Sequence, residues 1–392
     1  MRLARQQTTK VIALPPSLSV PPLSFLKPTM ARDATKLIQA AASGNLSLVE
    51  ECLAGGTDPN VQDSNGSTAL LAAAAHGHGA IVSVLLANGA DPNIQNNDGH
   101  TALMMSVEMC DTEIAEMLLR NRADPNIQNI DGRTALIESV GQGDTEIAEM
   151  LLTNGADLNL QNRDGHTALM KSALEGDSEM LSILLRNGAD PNIQNGDGHT
   201  PLMESVDQGD PGIAEMLLTN GADVNLQDKD GDTALIVSVD LGETEIAEML
   251  LRNGADPTVK NTGGSTVLHT AASNGHLEVV RLLIASRVDR NGQNDEGNTP
   301  LMEAALEGRT EVVELLLTNG ASRDVQDKSG RTALIWAIRR GHAGVVHALL
   351  HAHTEYFHHY SDVPQAIVGD RAIDMLLQKD REQLRKRKNG AS

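Results

Sequence analysis

Aromatic residues are scarce in this chain: 392 residues include only Phe25, Trp336, Tyr356, Phe357 and Tyr360. Proteins that bind single-stranded nucleic acid stack bases on aromatic rings, and most nucleic-acid-binding surfaces are basic. This chain has few rings and a formal charge of −22. We therefore expect no nucleic-acid binding by its acidic portion.

Cysteines and long apolar runs are also rare. Cys52 and Cys110 are the only two thiols, too few for a disulfide framework and typical of a reducing compartment. We interpret both as ordinary thiols near helix ends. The apolar run within residues 1–32 is short and interrupted by prolines, so we expect no membrane span.

Charge is unevenly distributed and suggests three regions. Residues 1–32 contain no acidic residue, whereas residues 33–364 hold 19 basic and 49 acidic residues, and residues 365–392 carry a formal charge of +3. We predict a disordered basic, proline-rich leader, a central array and a C-terminal capping helix with a basic tail. The leader resembles an organellar transit peptide, and it also fits an extension upstream of a true start at Met30.

The central region is a tandem repeat with a period of 33 residues. The Thr of a Thr-Ala-Leu or Thr-Pro-Leu triplet, once Thr-Val-Leu, recurs at Thr68, Thr101, Thr134, Thr167, Thr200, Thr233, Thr266, Thr299 and Thr332. A degenerate unit at Thr35 precedes them, which makes about ten units. A fixed period of this length is typical of stacked units, none of which buries its apolar face alone.

One unit, residues 131–163, illustrates the predicted structure. Ile147, Met150 and Leu151 recur at helical spacing after Asp144, a good N-cap, and Asn154-Gly155 is typical of a helix end. A shorter helix follows the Thr134 triplet and ends near Gly143. Each unit is therefore predicted to contain two helices joined by turns.

These motifs resemble the ankyrin repeat. The resemblance rests on G-x-T-[AP]-L, on the Gly before the second helix, and on L-L-x-N-G-A-D with an Asn two residues after the Asp. It implies an all-α solenoid of helix-turn-helix units with short β-turn loops. The frequent T-P-L-H of that family keeps its His only at His269. Elsewhere an apolar residue, mostly Met or Ile, stands there, and we expect apolar packing to replace the hydrogen bond of that His.

The resemblance also nominates binding residues, because partners of ankyrin-like proteins usually contact the turn tips and the inner face of the first helices. The turn-tip residue before the Thr is His or Arg in four consecutive units: His100, Arg133, His166 and His199. The first helices present mostly acids, which could steer a basic segment or could simply be solvated. These candidates are Glu138, Lys171, Glu175, Glu204, Asp207, Asp240, Glu303 and Glu307.

Trp336, beside Arg339 and Arg340, is the aromatic residue of the array best suited to anchor a partner. The alternative is that its ring packs against the C-terminal cap. His347 and His351 have the i, i+4 spacing of metal ligands, but no Glu follows His347 as in H-E-x-x-H. We expect neither a metal site nor a cofactor.

The sequence favours a non-catalytic scaffold or adaptor, monomeric and cytoplasmic, that binds a protein partner on the concave face. No nucleotide-binding or hydrolase motif appears, and the two ends are too short for a catalytic domain. The alternative is a regulatory or substrate-recruiting subunit, either a signalling inhibitor or a ubiquitin-ligase adaptor that uses the C-terminal tail. The basic residues Arg385–Lys388 could also act as a weak nuclear signal.

Overall fold

The computed structural model describes the backbone of residues 28–351 and the side chains of residues 34–350. Most of the leader, with any targeting signal in it, lies outside these residues. So do the predicted capping helix and the basic tail. The first helix begins at Pro28, earlier than the boundary at residue 33 that we predicted. Proline is favoured in the first turn of a helix because its missing N–H would have no partner there.

Twenty helices form ten antiparallel pairs within the described residues. Their bounds are α1 Pro28–Ala42, α2 Leu46–Ala54, α3 Ala69–Ala75, α4 Gly79–Ala87, α5 Ala102–Glu108, α6 Thr112–Arg120, α7 Ala135–Gln142, α8 Thr145–Thr153, α9 Ala168–Glu175, α10 Ser178–Arg186, α11 Pro201–Asp207, α12 Pro211–Thr219, α13 Ala234–Leu241, α14 Thr244–Arg252, α15 Val267–Asn274, α16 Leu277–Ala285, α17 Pro300–Leu306, α18 Thr310–Thr318, α19 Ala333–Arg340 and α20 Ala343–His351. One isolated antiparallel bridge, between Gln227 and Thr233, is the only β pairing in this part of the chain. The all-α prediction is confirmed.

Local signals fix the ends of these helices as predicted. The hydroxyl of Thr134 accepts a hydrogen bond from the backbone N–H of Ile137, and the Asp144 carboxylate accepts one from Ile147. Both side chains therefore satisfy otherwise unpaired N–H groups at helix N-termini. Gly143 adopts φ 68° at the end of α7, a left-handed conformation that glycine tolerates best.

The apolar faces of all ten pairs merge into one continuous core. Within one unit the core includes Leu136, Ile137, Ile147 and Leu151, each no more than 1% exposed. Neighbouring first helices pack more closely than neighbouring second helices. An array of this kind curves towards its more closely packed side, so the first helices lie on the concave side.

The turns are tied to one another by a ladder of hydrogen bonds between units. Asn126 donates from Nδ2 to the carbonyl oxygen of Gly155 at 3.0 Å, and its Oδ1 accepts from the N–H of Asp157 at 2.7 Å. Gln128 donates to the carbonyl oxygen of Gln161 at 2.8 Å. The turn tips of neighbouring units also lie close together. A Cβ added at Gly132 would be only 2.9 Å from the backbone nitrogen of Arg163.

Three residues stand at turn positions where other units have glycine, and all three have positive φ. Cys110 has φ 53°, Arg122 φ 67° and Arg287 φ 58°. The first two confirm that the backbone keeps the left-handed conformation although the glycine is missing. An L-amino acid in this conformation costs about 1 kcal/mol.

His269, the histidine that matches the T-P-L-H pattern, makes hydrogen bonds that the apolar residues at the equivalent positions cannot make. The N–H of Thr266 donates to Nδ1 of His269 at 3.1 Å, and the opposite ring nitrogen contacts the carbonyl oxygens of Gly292 and Asn298, each at 3.1 Å. Met104, Ile137, Met170, Met203, Ile236 and Met302 occupy that position in other units and are at most 3% exposed. The expected replacement of a hydrogen bond by apolar packing is confirmed at these positions, whereas Ile335, at the same position in its unit, is only partly buried.

Candidate functional site

The two candidate columns meet on the concave side of the array. Each turn-tip residue directly precedes the capping Thr, so its side chain stands beside the first helix of its unit. His100 Nδ1 lies 3.8 Å from Glu108 Oε1, and Arg133 Nη1 lies 3.5 Å from Glu138 Oε1. These turn-tip side chains therefore lie beside acids of the first helices.

Glu204 lies at the centre of the most connected group. It is only 6% exposed, and its Oε1 accepts a hydrogen bond from Asn195 Nδ2 at 2.8 Å. His166 Nε2 lies 3.7 Å from the same oxygen. Because His166 and Asn195 precede the unit that contains Glu204, this group joins two successive units.

His199 has carboxylates on both sides of its ring. Its Nδ1 lies 3.7 Å from Glu204 Oε1 and 3.5 Å from Asp207 Oδ2, and its Nε2 lies 3.5 Å from Asp228 Oδ2. The neighbouring Glu204 carboxylate raises the pKa of His199, and burial opposes this effect. Burial raises the pKa of Asp207, which the positive charge of His199 lowers.

Other acids of the first helices have individual partners. Glu303 accepts hydrogen bonds from Asn294 and Asn298, and its pKa is raised mainly by burial. Asp240 accepts one from Asn274 Nδ2 at 2.8 Å, and Glu175 lies 2.6 Å from Lys171 Nζ. Glu307 is exposed.

Burial differs along the predicted acidic row, in which Glu303 is partly buried. Glu138 and Glu204 are buried, at 9% and 6% exposure, so they support the turn tips rather than offer a contact surface. Glu175, Asp207, Asp240 and Glu307 are exposed. The accessible negative charge is therefore spread over several first helices.

Trp336 is less accessible than an exposed anchor would be. It is half-buried against the core, and the Arg331 guanidinium lies over its ring. The predicted contact with a C-terminal cap would involve residues outside the described part of the chain. Arg339 and Arg340 are exposed at the end of α19.

Exposed apolar residues on this side were not among the predicted site residues. Met109, Leu174 and Leu241 are 55%, 37% and 49% exposed at or just beyond the ends of α5, α9 and α13, and Ile130 is 48% exposed near a turn tip. The first three stand seven or eight residues after the Thr of their units. Reading that column for apolar residues as well as acids would have identified them.

The described helices contain no segment long and apolar enough to cross a membrane. Of the histidines considered as metal ligands, His347 lies in α20, whereas the side chain of His351 lies outside the described residues. Elsewhere among the described residues, one group of potential metal donors occurs, formed by His199, Glu204 and Asp207.

The helix pairs have a fixed register, share one continuous core and are joined by a polar ladder along their turns. These features define a helical repeat solenoid. The family model described as ankyrin repeats (3 copies) matches residues 37–129, 111–195, 172–261 and 268–359. The chain belongs to the ankyrin-repeat family, whose repeats are protein-protein interaction modules. No curated protein matches the sequence closely enough to indicate a more specific relationship.

Proposed function

We propose that this chain is a non-catalytic scaffold or adaptor that binds a protein partner along the concave side of its array. The partner segment is expected to carry basic residues together with apolar ones. The observation that carries this proposal is the alternation of accessible acids, such as Glu175 and Asp240, with exposed apolar residues, such as Leu174 and Leu241, at the ends of first helices.

Charge and apolar area have different roles in this proposal. Accessible acids distributed along one side steer a basic segment towards it and favour one orientation, an effect that salt weakens. Apolar side chains such as Met109 and Leu241 supply area that gains free energy when water leaves it. A segment with both properties matches this side better than a purely basic one does.

The second helices offer a matched comparison. Their outward acids include Glu146, Glu149 and Glu215, which are exposed and lie on α8 and α12. An exposed glutamate on a solvated helix face needs no partner. Glu146 also lies in the first turn of α8, where the helix dipole favours negative charge.

The proposal is tested by capturing partners with two triple variants of the full chain. The groove variant changes acids on the concave side, here called the groove, and carries Glu175→Gln, Asp240→Asn and Glu307→Gln. The outer variant changes acids of the second helices and carries Glu146→Gln, Glu149→Gln and Glu215→Gln. Each removes three negative charges. We expect specific partners to be lost from the groove variant and retained by the outer variant. Equal retention by both variants would refute binding at the acidic concave side.

A deletion of residues 365–392 tests the alternative that the tail recruits partners. Retention of the partners after this deletion supports binding by the array, whereas loss of all of them supports a recruiting module in the tail.

A further inference from the structure

One unit of the array brings three potential metal ligands together on its concave side. His199 Nδ1 faces both Glu204 and Asp207, at 3.7 and 3.5 Å, and the ligand atoms of the three residues lie within 4.8 Å of one another. Three ligands around a tetrahedral zinc ion with bonds of roughly 2.1 Å are about 3.4 Å apart. The two nitrogen–oxygen distances are therefore close to those of such a site.

The arrangement is specific to this unit. The three positions are the residue before the Thr, the fourth residue after it and the seventh residue after it. Only the unit of Thr200 has a histidine at the first and acids at both others. The unit of Thr101 has His100 and Glu108 but Met105 between them. A solvated acidic face would not require one histidine and two acids to occur together at these three positions of one unit.

Groups outside the three ligands orient them. Asp228 Oδ2 lies 3.5 Å from His199 Nε2, with its side chain only 7% exposed, and its other oxygen is fixed by the N–H groups of Asp230 and Asp232. A histidine that binds a metal commonly donates its second N–H to a carboxylate, which holds the ring and leaves the first nitrogen free as a ligand. Asn195 Nδ2 holds Glu204 Oε1 in the same manner, at 2.8 Å.

We propose that His199, Glu204 and Asp207 form a site for a divalent transition-metal ion of the zinc class. One imidazole and two carboxylates suit zinc better than calcium or magnesium, which prefer oxygen ligands alone. A bound divalent ion would neutralise the two carboxylate charges. The exposure of Asp207 leaves a fourth position open towards the groove, where water or a partner side chain completes the coordination.

The proposal is independent of the partner segment described above, because all three ligands come from this chain. Its competitor is a proton: a positively charged His199 among three carboxylates satisfies the same charges without a metal. The experiment therefore has to distinguish a metal-binding site from a protonated ion-pair network.

The test titrates the purified full chain with Co²⁺, whose visible absorption is intense only in tetrahedral sites, and then displaces Co²⁺ with Zn²⁺. Two variants remove ligands, His199→Gln and Asp207→Asn. Two controls change equivalent positions in other units, His100→Gln and Asp240→Asn. Thermal unfolding without metal checks that each variant is folded, and Asp207→Asn alters an exposed residue that the core does not need.

We expect the wild type and both controls to give the tetrahedral spectrum and to bind one ion per chain. The two ligand variants should bind that ion at least tenfold more weakly. Asp228→Asn should weaken binding by about 10- to 100-fold, the range found when an outer hydrogen-bond partner of a metal site is lost. Histidines elsewhere in the chain contribute equally to every variant. Identical spectra and affinities in the ligand variants and their controls would overturn the proposal, as would no tetrahedral spectrum in the wild type.

Discussion

The guanidinium carbon of Arg331 lies 3.9 Å from the ring centroid of Trp336. The same side chain donates from Nε to Asp327 Oδ2 at 2.6 Å, and the Asp327 carboxylate is completely buried. Arg331 therefore connects a turn to the first helix of its unit through one stacking contact and one charged hydrogen bond. This pairing covers a face of the ring that the sequence suggested as a partner anchor.

Arg331→Ala should destabilise the last described helix pair. The substitution removes the stacking contact and leaves the Asp327 carboxylate without its cationic partner, which together should cost about 2 kcal/mol. Trp336 is the single tryptophan of the chain, so its fluorescence reports this region alone. We expect emission shifted to longer wavelength and an earlier unfolding transition. Arg340→Ala, on an exposed neighbour, is the control, and equal effects of the two would contradict the assigned role.

Restoring glycine should stabilise the unit that lacks it. Cys110→Gly and Arg122→Gly remove left-handed strain and should each raise the free energy of unfolding by about 1 kcal/mol, measured by chemical denaturation. The opposite changes at equivalent positions are Gly143→Ala and Gly155→Ala. An added Cβ meets nothing within 4 Å at either site, so only the backbone conformation is tested. Stabilisation by these alanine substitutions would contradict the strain argument.

His269 should make folding sensitive to mild acid. Burial lowers the pKa of His269 from 6.5 to about 4, against the opposing effect of hydrogen bonds to Asn298 and Gly292. Between these values the unfolded chain binds a proton that the folded chain does not, so stability falls as the pH drops from about 6.5 towards 4. The loss attributable to this residue should reach about 2 kcal/mol at pH 5.

The control for this prediction is His269→Met, because Met203 and Met302 already occupy the equivalent position in other units. Unfolding free energies of the wild type and the variant are compared at pH 7 and pH 5. The variant should lose less stability over that interval. An identical loss in both proteins would show that His269 is not the responsible group.

Local opening should begin in the units with missing glycines. Besides the strain at Cys110 and Arg122, the turn after α16, which contains Arg287, lacks one rung of the polar ladder to the preceding unit. Thr258 stands where most other units have Asn, and it hydrogen-bonds to its own Asp256 instead. Hydrogen exchange followed by mass spectrometry should find these units the fastest to exchange. Their being the most protected units would contradict the prediction.

The sequence was sufficient for features that depend on one unit alone. Helix caps such as Asp144 and the positive φ at Cys110 follow from local rules, which the 33-residue period repeats. The pairing of side chains between units was not predictable in the same way. Contacts of Glu204 with His166 and of His199 with Asp228 depend on rotamers and on the spacing between units, which a pattern of residue types does not specify.

Trp336 illustrates the same limit. Its position in the repeat predicted a place on the concave side. Its exposure, however, depends on Arg331, whose guanidinium covers one face of the ring. Conversely, the apolar residues Met109 and Leu241 were visible in the sequence as exceptions in a mostly polar column. Their exposure became clear only once the helix ends were placed.

The most direct measurement is site-specific photocrosslinking in cells with a photoreactive amino acid at Leu241, on the concave side, and at Glu215, on the outward side of α12. Both positions are exposed, so both probes can react with a bound molecule. We predict a discrete protein adduct from position 241 that disappears in the variant with neutralised groove acids, and no such adduct from position 215. An adduct of the same partner from position 215, with none from position 241, would contradict binding on the concave side.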